Sequence, residues 1–99
     1  MPVQHMVWIK FHPDTPAERI AAHLSALDSL RNKIPAILHL SVGENFTDRA
    51  KGFTHGLLVT LPSKNDLKIY ADHPEHVPVA AALKKDAELM AMDFEYNEK

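Results

Sequence analysis

The spacing of hydrophobic residues changes along this chain, and that change restricts its possible folds more than any other feature. Residues 3–12 alternate as in a β-strand, with Val7 and Ile9 on one side and Met6 and Trp8 on the other. Apolar residues then recur every three or four positions, which forms a single stripe along a helix. That stripe consists of Ile20, Leu24, Leu27 and Leu30. The chain is therefore expected to begin with a strand followed by an amphipathic helix.

The ends of this helix also have sequence signals. Thr15 and Glu18 have the spacing of a capping box, in which Thr15 is the N-cap, and Pro16 suits the first helical position. Pro35 disfavours helical geometry in the residue before it, so the helix should end near Lys33.

The rest of the chain is predicted to contain three more strands and a broken helix. The strands are expected at residues 37–46, 53–61 and 88–96. Before the last strand, Ser63 and Asp66 indicate a helix start, Pro74 and Pro78 interrupt the helix, and it resumes to about residue 87. The order β-α-β-β-α-β is that of an α+β, ferredoxin-like fold, with one four-stranded antiparallel sheet covered by helices on one face. We expect a single domain over residues 1–99, with its core at about 3–96.

The uncovered face of the predicted sheet is too apolar to face water. It carries Met6, Trp8 and Leu58, and Met90, Met92, Phe94 and Tyr96 share one face of the last strand. Large exposed apolar patches mark interaction surfaces, and a second copy of the same sheet would cover this one. We therefore expect a homodimer through the face that carries Trp8.

Composition argues against several classes of function. The formal net charge is −2, which gives no electrostatic footprint for nucleic acid or an anionic membrane. No apolar run approaches the roughly 20 residues of a membrane span, and no charged leader opens the sequence. The chain has no cysteine, which excludes disulfides and thiolate ligands and is compatible with a reducing cytoplasm. We expect a cytoplasmic protein that has neither nucleic acid nor membrane as a partner.

Chemically useful side chains are concentrated in residues 69–78. The neutral imidazole of His76 can accept a proton from a carbon next to a carbonyl, and Tyr70 can hydrogen-bond the resulting enolate oxygen. In the structural alternative, His76 caps a helix end and Tyr70 packs its ring in the core. His73, directly before Pro74, is suited to hold the bend through a backbone hydrogen bond.

Inward-facing strand residues are expected to join this stretch. His5 and His55 have corresponding positions on strands that we expect to be neighbours, and convergence on Tyr70 and His76 would form a small-molecule site. The predicted cavity is lined by His5, Val7, His55, Leu57 and His73.

A metal site is the competing use of the histidines. His73 and His76 are three residues apart, and His5 or His55 is the candidate third ligand, but Pro74 disturbs the helical geometry that would align the pair. We therefore expect no metal or other cofactor. The remaining histidines, which we expect at the surface or in turns, are His12, His23 and His39.

Several segments together resemble one family. Residues 5–11 fit the pattern H-x-V-x-x-K-F, residues 34–36, 53–56 and 93–96 fit further segments, and the block Tyr70-x-x-His73-Pro74-x-His76 is the most specific. The chain resembles the stress-responsive dimeric α/β barrel (Dabb) domain. This resemblance implies a ferredoxin-like subunit whose sheet pairs with a second copy. Similarity to a polyketide cyclase of this family implies that Tyr70 and His76 are catalytic and that His5 and His55 line the cavity.

Two functions follow as hypotheses. The first is a cofactor-free cyclase, isomerase or lyase that acts on an unknown carbonyl compound. The second is a non-catalytic, stress-related or ligand-binding dimer in which the histidines have structural roles.

Overall fold

One antiparallel sheet and three α-helices account for most of the chain in the computed structural model, which describes residues 1–98. The elements are β1 (Val3–Phe11), α1 (Ala17–Ser29), a short 3-10 helix (Leu30–Asn32), β2 (His39–Glu44), β3 (His55–Leu61), α2 (Lys64–Asp72), α3 (Val77–Asp86) and β4 (Ala87–Glu95). The strand order is β2-β3-β1-β4, with every neighbouring pair antiparallel. The predicted α+β, ferredoxin-like fold is confirmed. Lys99, the end of the predicted domain, lies outside the described residues.

The core lies between the helices and one face of the sheet, here called the inner face. Alternation along β1 and β3 points every second side chain inward, as expected for strands. The buried strand residues are Val3, Val7, Ile9, Phe11, Leu40, His55, Leu57, Val59, Leu61 and Ala87. Leu27 of α1 and Leu83 of α3 pack onto them. His5 also lies on this face, as predicted from its alternation with Met6.

The start of α1 differs from the prediction. Pro16 is the N-cap, and no side chain hydrogen-bonds to the first turn, so the expected capping box between Thr15 and Glu18 is wrong. The Thr15 hydroxyl instead donates to the backbone carbonyl of Asp86, with an O···O distance of 3.4 Å. The helical stretch ends in the 3-10 helix at Asn32, one residue before the predicted end.

His23 was expected at the surface, and this expectation is wrong. It lies on the side of α1 that packs toward the junction of α3 and β4, and its side chain is buried. Its Nε2 is 2.7 Å from Asp86 Oδ2, and Arg19 donates two hydrogen bonds to the same carboxylate at 2.8 and 2.9 Å. The carboxylate provides the polar partner that makes burial of this imidazole favourable. His12 and His39 are exposed, as predicted.

The predicted break between the last two helices is confirmed. Ser63 caps α2 by accepting the Asp66 N–H at 3.2 Å. The helix ends because His73 precedes Pro74 and has extended geometry, with φ −64° and ψ 136°. Pro78 falls in the first turn of α3, where its missing N–H costs no helical hydrogen bond.

The opposite side of the sheet, here called the outer face, is not covered by the helices. It carries Gln4, Met6, Trp8, His39, Ser41, Gly43, Gly56, Leu58, Thr60, Met90, Met92 and Phe94. Exposed fractions reach 39% for Trp8, 49% for Met90 and 64% for Met92. Among residues 1–98, no helix has the length and apolar character needed to cross a membrane.

Candidate functional site

The bent connection between α2 and α3 brings Tyr70 and His76 together. Tyr70 lies in the last turn of α2, and His76 is the N-cap of α3. The bend returns the chain so that the two rings are 4.4 Å apart between centroids, tilted by 45°. His73 stabilises this turn, because its Nδ1 accepts the Glu75 N–H at 3.0 Å. The bend between the two helices thus brings two chemically active side chains into contact.

Tyr70 is a buried phenol without a protein partner. It is 1% exposed, and no protein group within residues 1–98 hydrogen-bonds to its hydroxyl. Burial raises the pKa of Tyr70 to about 12, because the phenolate would lose its hydration. The hydroxyl is therefore neutral at physiological pH and can donate a hydrogen bond.

His76 has a defined tautomer. Its Nδ1 lies 3.0 Å from the Ala71 carbonyl oxygen, and since a carbonyl only accepts, Nδ1 carries the proton in the neutral ring. Nε2 is then left with its lone pair. Burial lowers the pKa of His76; the bond to Ala71 opposes this shift, and the nearby His5 and Lys84 add to it. The ring is thus a neutral base at physiological pH.

His5 of β1 completes a cluster of three rings. Its ring meets Tyr70 edge-on, with 5.5 Å between centroids. Its Nδ1 is 2.5 Å from Oδ1 of Asp93, which lies opposite His5 in the β1–β4 register. The carboxylate accepts the proton on Nδ1, which leaves Nε2 of the neutral ring as the free nitrogen.

Asp93 is the residue that sequence reasoning missed as part of the site. Its signal was an acidic side chain that follows Leu89 and Ala91 on the inward-facing side of the strand, between Met92 and Phe94. Only the register between β1 and β4 places Asp93 opposite His5, and that register was not predicted.

His55 does not converge on the cluster, so that expectation is wrong. It pairs with Ile9, whereas His5 pairs with Val59, so the two histidines are four residues apart along the sheet, roughly 13 Å. The His55 ring packs edge-on against Phe11 at 5.1 Å, and its Nδ1 is 2.9 Å from Thr54 Oγ1. Burial lowers the pKa of His55, and Glu44 partly opposes this. The buried pair Val7 and Leu57 lies between the two histidines.

The cluster approaches solvent along the β4 edge. There, a mostly apolar depression of about 330 Å³ shares Asp93 with the site. It is lined by Val3, Lys64, Leu67, Asp93, Phe94 and Glu95. Within residues 1–98, no three histidine, aspartate or glutamate side chains are grouped closely enough to hold a metal ion.

Comparison with known proteins assigns the family. The model of the stress-responsive A/B barrel domain, Dabb, matches residues 3–96. The chain belongs to the Dabb family. This confirms the resemblance found in the Tyr70–His76 block and the opening strand.

This Dabb domain is also similar to two curated relatives and to one solved structure. It is 34% identical, over 93% of its length, to stress-response A/B barrel domain-containing protein DABB1 of Arabidopsis thaliana, but spans only 46% of that protein. It is 30% identical to olivetolic acid cyclase of Cannabis sativa, over 78% of each chain. A dimeric protein of unknown function with a ferredoxin-like fold, from Bacteroides fragilis, superposes with a TM-score of 0.82 at 29% identity over 96% of both chains.

Proposed function

We propose that this Dabb domain is a cofactor-free acid–base enzyme that acts on a small carbonyl compound. The observation that carries the proposal is the buried Tyr70 hydroxyl, which has no partner among residues 1–98 and lies beside the imidazoles of His5 and His76. An unpaired buried hydroxyl costs about 1–3 kcal/mol of stability. Because this donor is left unpaired in the protein, it is well suited to hydrogen-bond an oxygen atom of a bound substrate.

In the proposed reaction, His76 is the base. Its Nε2 takes a proton from the carbon next to the carbonyl, and the C–H electron pair forms the C=C bond of an enolate. The negative charge moves to the carbonyl oxygen, where the neutral Tyr70 hydroxyl stabilises it by donating a hydrogen bond. Return of the proton at another carbon gives isomerisation, and attack of the enolate on a second carbonyl gives cyclisation.

Asp93 and His5 have supporting roles in this proposal. The carboxylate orients the imidazole through Nδ1, as a second partner commonly does for a functional histidine. Nε2 of His5 is then available to exchange a proton with the substrate. The relationship to a protein named as a cyclase supports this class of chemistry.

We further propose a cytoplasmic homodimer in which the outer face, with Trp8, lies in the interface. The exposed apolar side chains of that face and the dimeric state of the similar Bacteroides fragilis protein support the assembly. The absence of cysteine from the sequence is compatible with the location.

Exchange of carbon-bound protons tests the chemistry without knowledge of the product. Small ketones, β-diketones and polyketide-like compounds are incubated with the protein in D₂O, and NMR follows the loss of the α-proton signal. We expect exchange with the wild type, none with His76→Ala, and slower exchange with Tyr70→Phe. His12→Ala, an exposed turn histidine, is the matched control and should exchange at the wild-type rate. Equal rates for His76→Ala and the wild type would rule out His76 as the base.

A non-catalytic ligand-binding dimer is the second candidate, and the closure of the site favours it. Tyr70 is only 1% exposed, and side chains fill its surroundings. A compound that raises the melting temperature of the wild type but not of Tyr70→Phe, with no proton exchange, would support binding alone.

A further inference from the structure

The outer face carries large apolar side chains on β1 and β4 and a pair of glycines on β2 and β3. The antiparallel register aligns residues in rows across the four strands. From β2 to β4, one row reads Gly43, Gly56, Trp8 and Met90, and the next reads Ser41, Leu58, Met6 and Met92. In the first row, β2 and β3 carry the two glycines, while β1 and β4 carry Trp8 and Met90. In the second row, Ser41 is the small residue, and Leu58 is comparable in size to Met6 and Met92. The face is therefore uneven from one side to the other.

Two paired glycines form the lowest part of this face. Gly43 and Gly56 are direct register partners, and a Cβ added at either position would meet no heavy atom within 4 Å. Trp8 is the cross-strand neighbour of Gly56 but does not cover it; its ring packs edge-on against Phe53 at 5.8 Å. The result is a depression of about 370 Å³ with a backbone floor. We call this depression, at Gly43 and Gly56, the glycine socket.

We propose that the glycine socket receives Trp8 and Met90 of a second copy of this chain. This inference rests on the proposed homodimer and specifies how its two outer faces meet. Two identical sheets can face each other only about a twofold axis that lies parallel to both, and such an interface is self-complementary. The direction of this axis decides which side chains meet.

An axis along the strands, between β1 and β3, places large side chains over small ones. Trp8 then lies over the partner's Gly56, Met90 over the partner's Gly43, and Met92 over the partner's Ser41. An axis across the strands would put large side chains on large ones and one socket on the other, which leaves a void. Because stable interfaces pack about as densely as protein interiors, the first direction is favoured.

Filling the socket tests the proposal with little risk to the subunit. Neither glycine has a positive φ, and both have open space above them, so Gly56→Leu should fold normally. The leucine would collide with the partner's Trp8 at two symmetric positions. We expect the homodimer to weaken by about 100-fold or more in analytical ultracentrifugation. Gly43→Leu, opposed to the partner's Met90, is the second variant if Gly56→Leu lowers the melting temperature of the subunit.

Mixing two variants distinguishes the two axis directions. Chains with Gly56→Leu are offered either wild-type chains or Trp8→Ala chains, one carrying an affinity tag, and the heterodimers are quantified. Under the proposal, leucine on one chain meets alanine on the other, so Gly56→Leu should prefer Trp8→Ala over the wild type by about tenfold or more. Since the two substitutions are on different chains, contacts within one subunit cannot produce this preference.

Each outcome has a separate meaning. A wild-type protein that is monomeric overturns the proposed homodimer and this inference together. A wild-type dimer that tolerates leucine at both socket positions overturns the socket and leaves the homodimer standing. If Gly56→Leu loses the dimer but does not prefer Trp8→Ala chains over wild-type chains, Trp8 does not enter the socket. The same result is expected if a small apolar molecule occupies the socket, and it also overturns the proposal.

Discussion

At the scale of single residues, the Tyr70 hydroxyl lowers the stability of the fold but is needed for the proposed function. It is buried and has no hydrogen-bond partner within residues 1–98. Tyr70→Phe removes the unpaired polar atom but keeps the ring contacts with His5 and His76. We expect this variant to raise the free energy of unfolding by about 1 kcal/mol, measured by urea denaturation at neutral pH, and to slow catalytic proton exchange.

The alkaline range gives a second measurement on the same variant. Burial raises the pKa of Tyr70 to about 12, above its value of 10.0 in an unfolded chain. The folded state therefore keeps a proton that the unfolded state releases, and the wild type should lose stability as pH rises from about 10 to about 12. Tyr70→Phe should lack that part of the loss, while Tyr96→Phe should retain it. A destabilised Tyr70→Phe protein would mean that the hydroxyl is hydrogen-bonded after all.

The proposed base also has a predictable pH dependence. Burial lowers the pKa of His76 from 6.5, so the neutral ring persists into mildly acidic solution. The rate of α-proton exchange should be constant near neutral pH and fall on acidification, with a midpoint below 6.5. NMR rate measurements across pH, with His12→Ala as control, determine the midpoint. A midpoint above 6.5 would contradict the assignment of His76 as the base.

Local sequence determines how much of the site could be predicted. Tyr70, His73 and His76 lie within one short segment, where two prolines indicate the bend, so their proximity needed no knowledge of the sheet. His5 needed only the alternation of its strand. The partnership of His5 with Asp93, 88 positions away, and the separation of His55 depend on strand register. Register follows from loop lengths and packing that alternation alone does not determine.

At the scale of secondary structure elements, Asp86 joins α1 to the junction between α3 and β4. It accepts hydrogen bonds from Arg19 and His23, and its backbone carbonyl accepts one from the His12 N–H at 2.8 Å. The side-chain bonds from Arg19 and His23 lower the pKa of Asp86 from 3.8 to about 2. The carboxylate thus joins α1 to the end of α3, and the backbone carbonyl of the same residue binds the chain just after β1.

Acid should weaken this connection. Since the folded pKa of Asp86 is below its unfolded value, its contribution is complete above about pH 4 and is lost as pH falls toward 2. Urea unfolding at a series of pH values should show a steeper acid loss for the wild type than for Asp86→Asn. Asp48→Asn, an exposed carboxylate in the loop before β3, is the control and should follow the wild type. If Asp86→Asn and the wild type lost the same amount of stability as pH falls, the Asp86 carboxylate would not stabilise this contact.

The same contacts explain which element boundaries could be predicted. The Ser63 cap and the proline-induced bend depend on neighbouring residues and are confirmed. The capping box at α1 failed because the Thr15 hydroxyl has a tertiary partner, the Asp86 carbonyl, 71 positions away. His23 was expected at the surface as a polar residue, but it lies three residues after Ile20 and four before Leu27, on the apolar side of α1, and is buried against Asp86.

At the scale of the whole molecule, the alternation in β1 and β4 was sufficient to predict an apolar outer face. The glycine socket on that face was not predictable, because it depends on Gly43 lying opposite Gly56 across two strands. Residue type determines which side chains each strand places on a face, and register determines which of those side chains become neighbours across strands. The single-domain assignment for residues 1–99 stays a prediction.

Trp8 makes the proposed assembly directly observable. It is the only tryptophan in the sequence, it lies on the outer face, and it is 39% exposed in the isolated subunit. If the two outer faces form the dimer, dilution should shift the Trp8 emission to longer wavelength as water reaches the indole, over the same concentrations at which light scattering reports dissociation. Gly56→Leu should show the shifted emission even at high concentration. A dimer that dissociates with no change in Trp8 emission would place the interface on another surface, because a buried indole cannot leave an apolar contact for water without that shift.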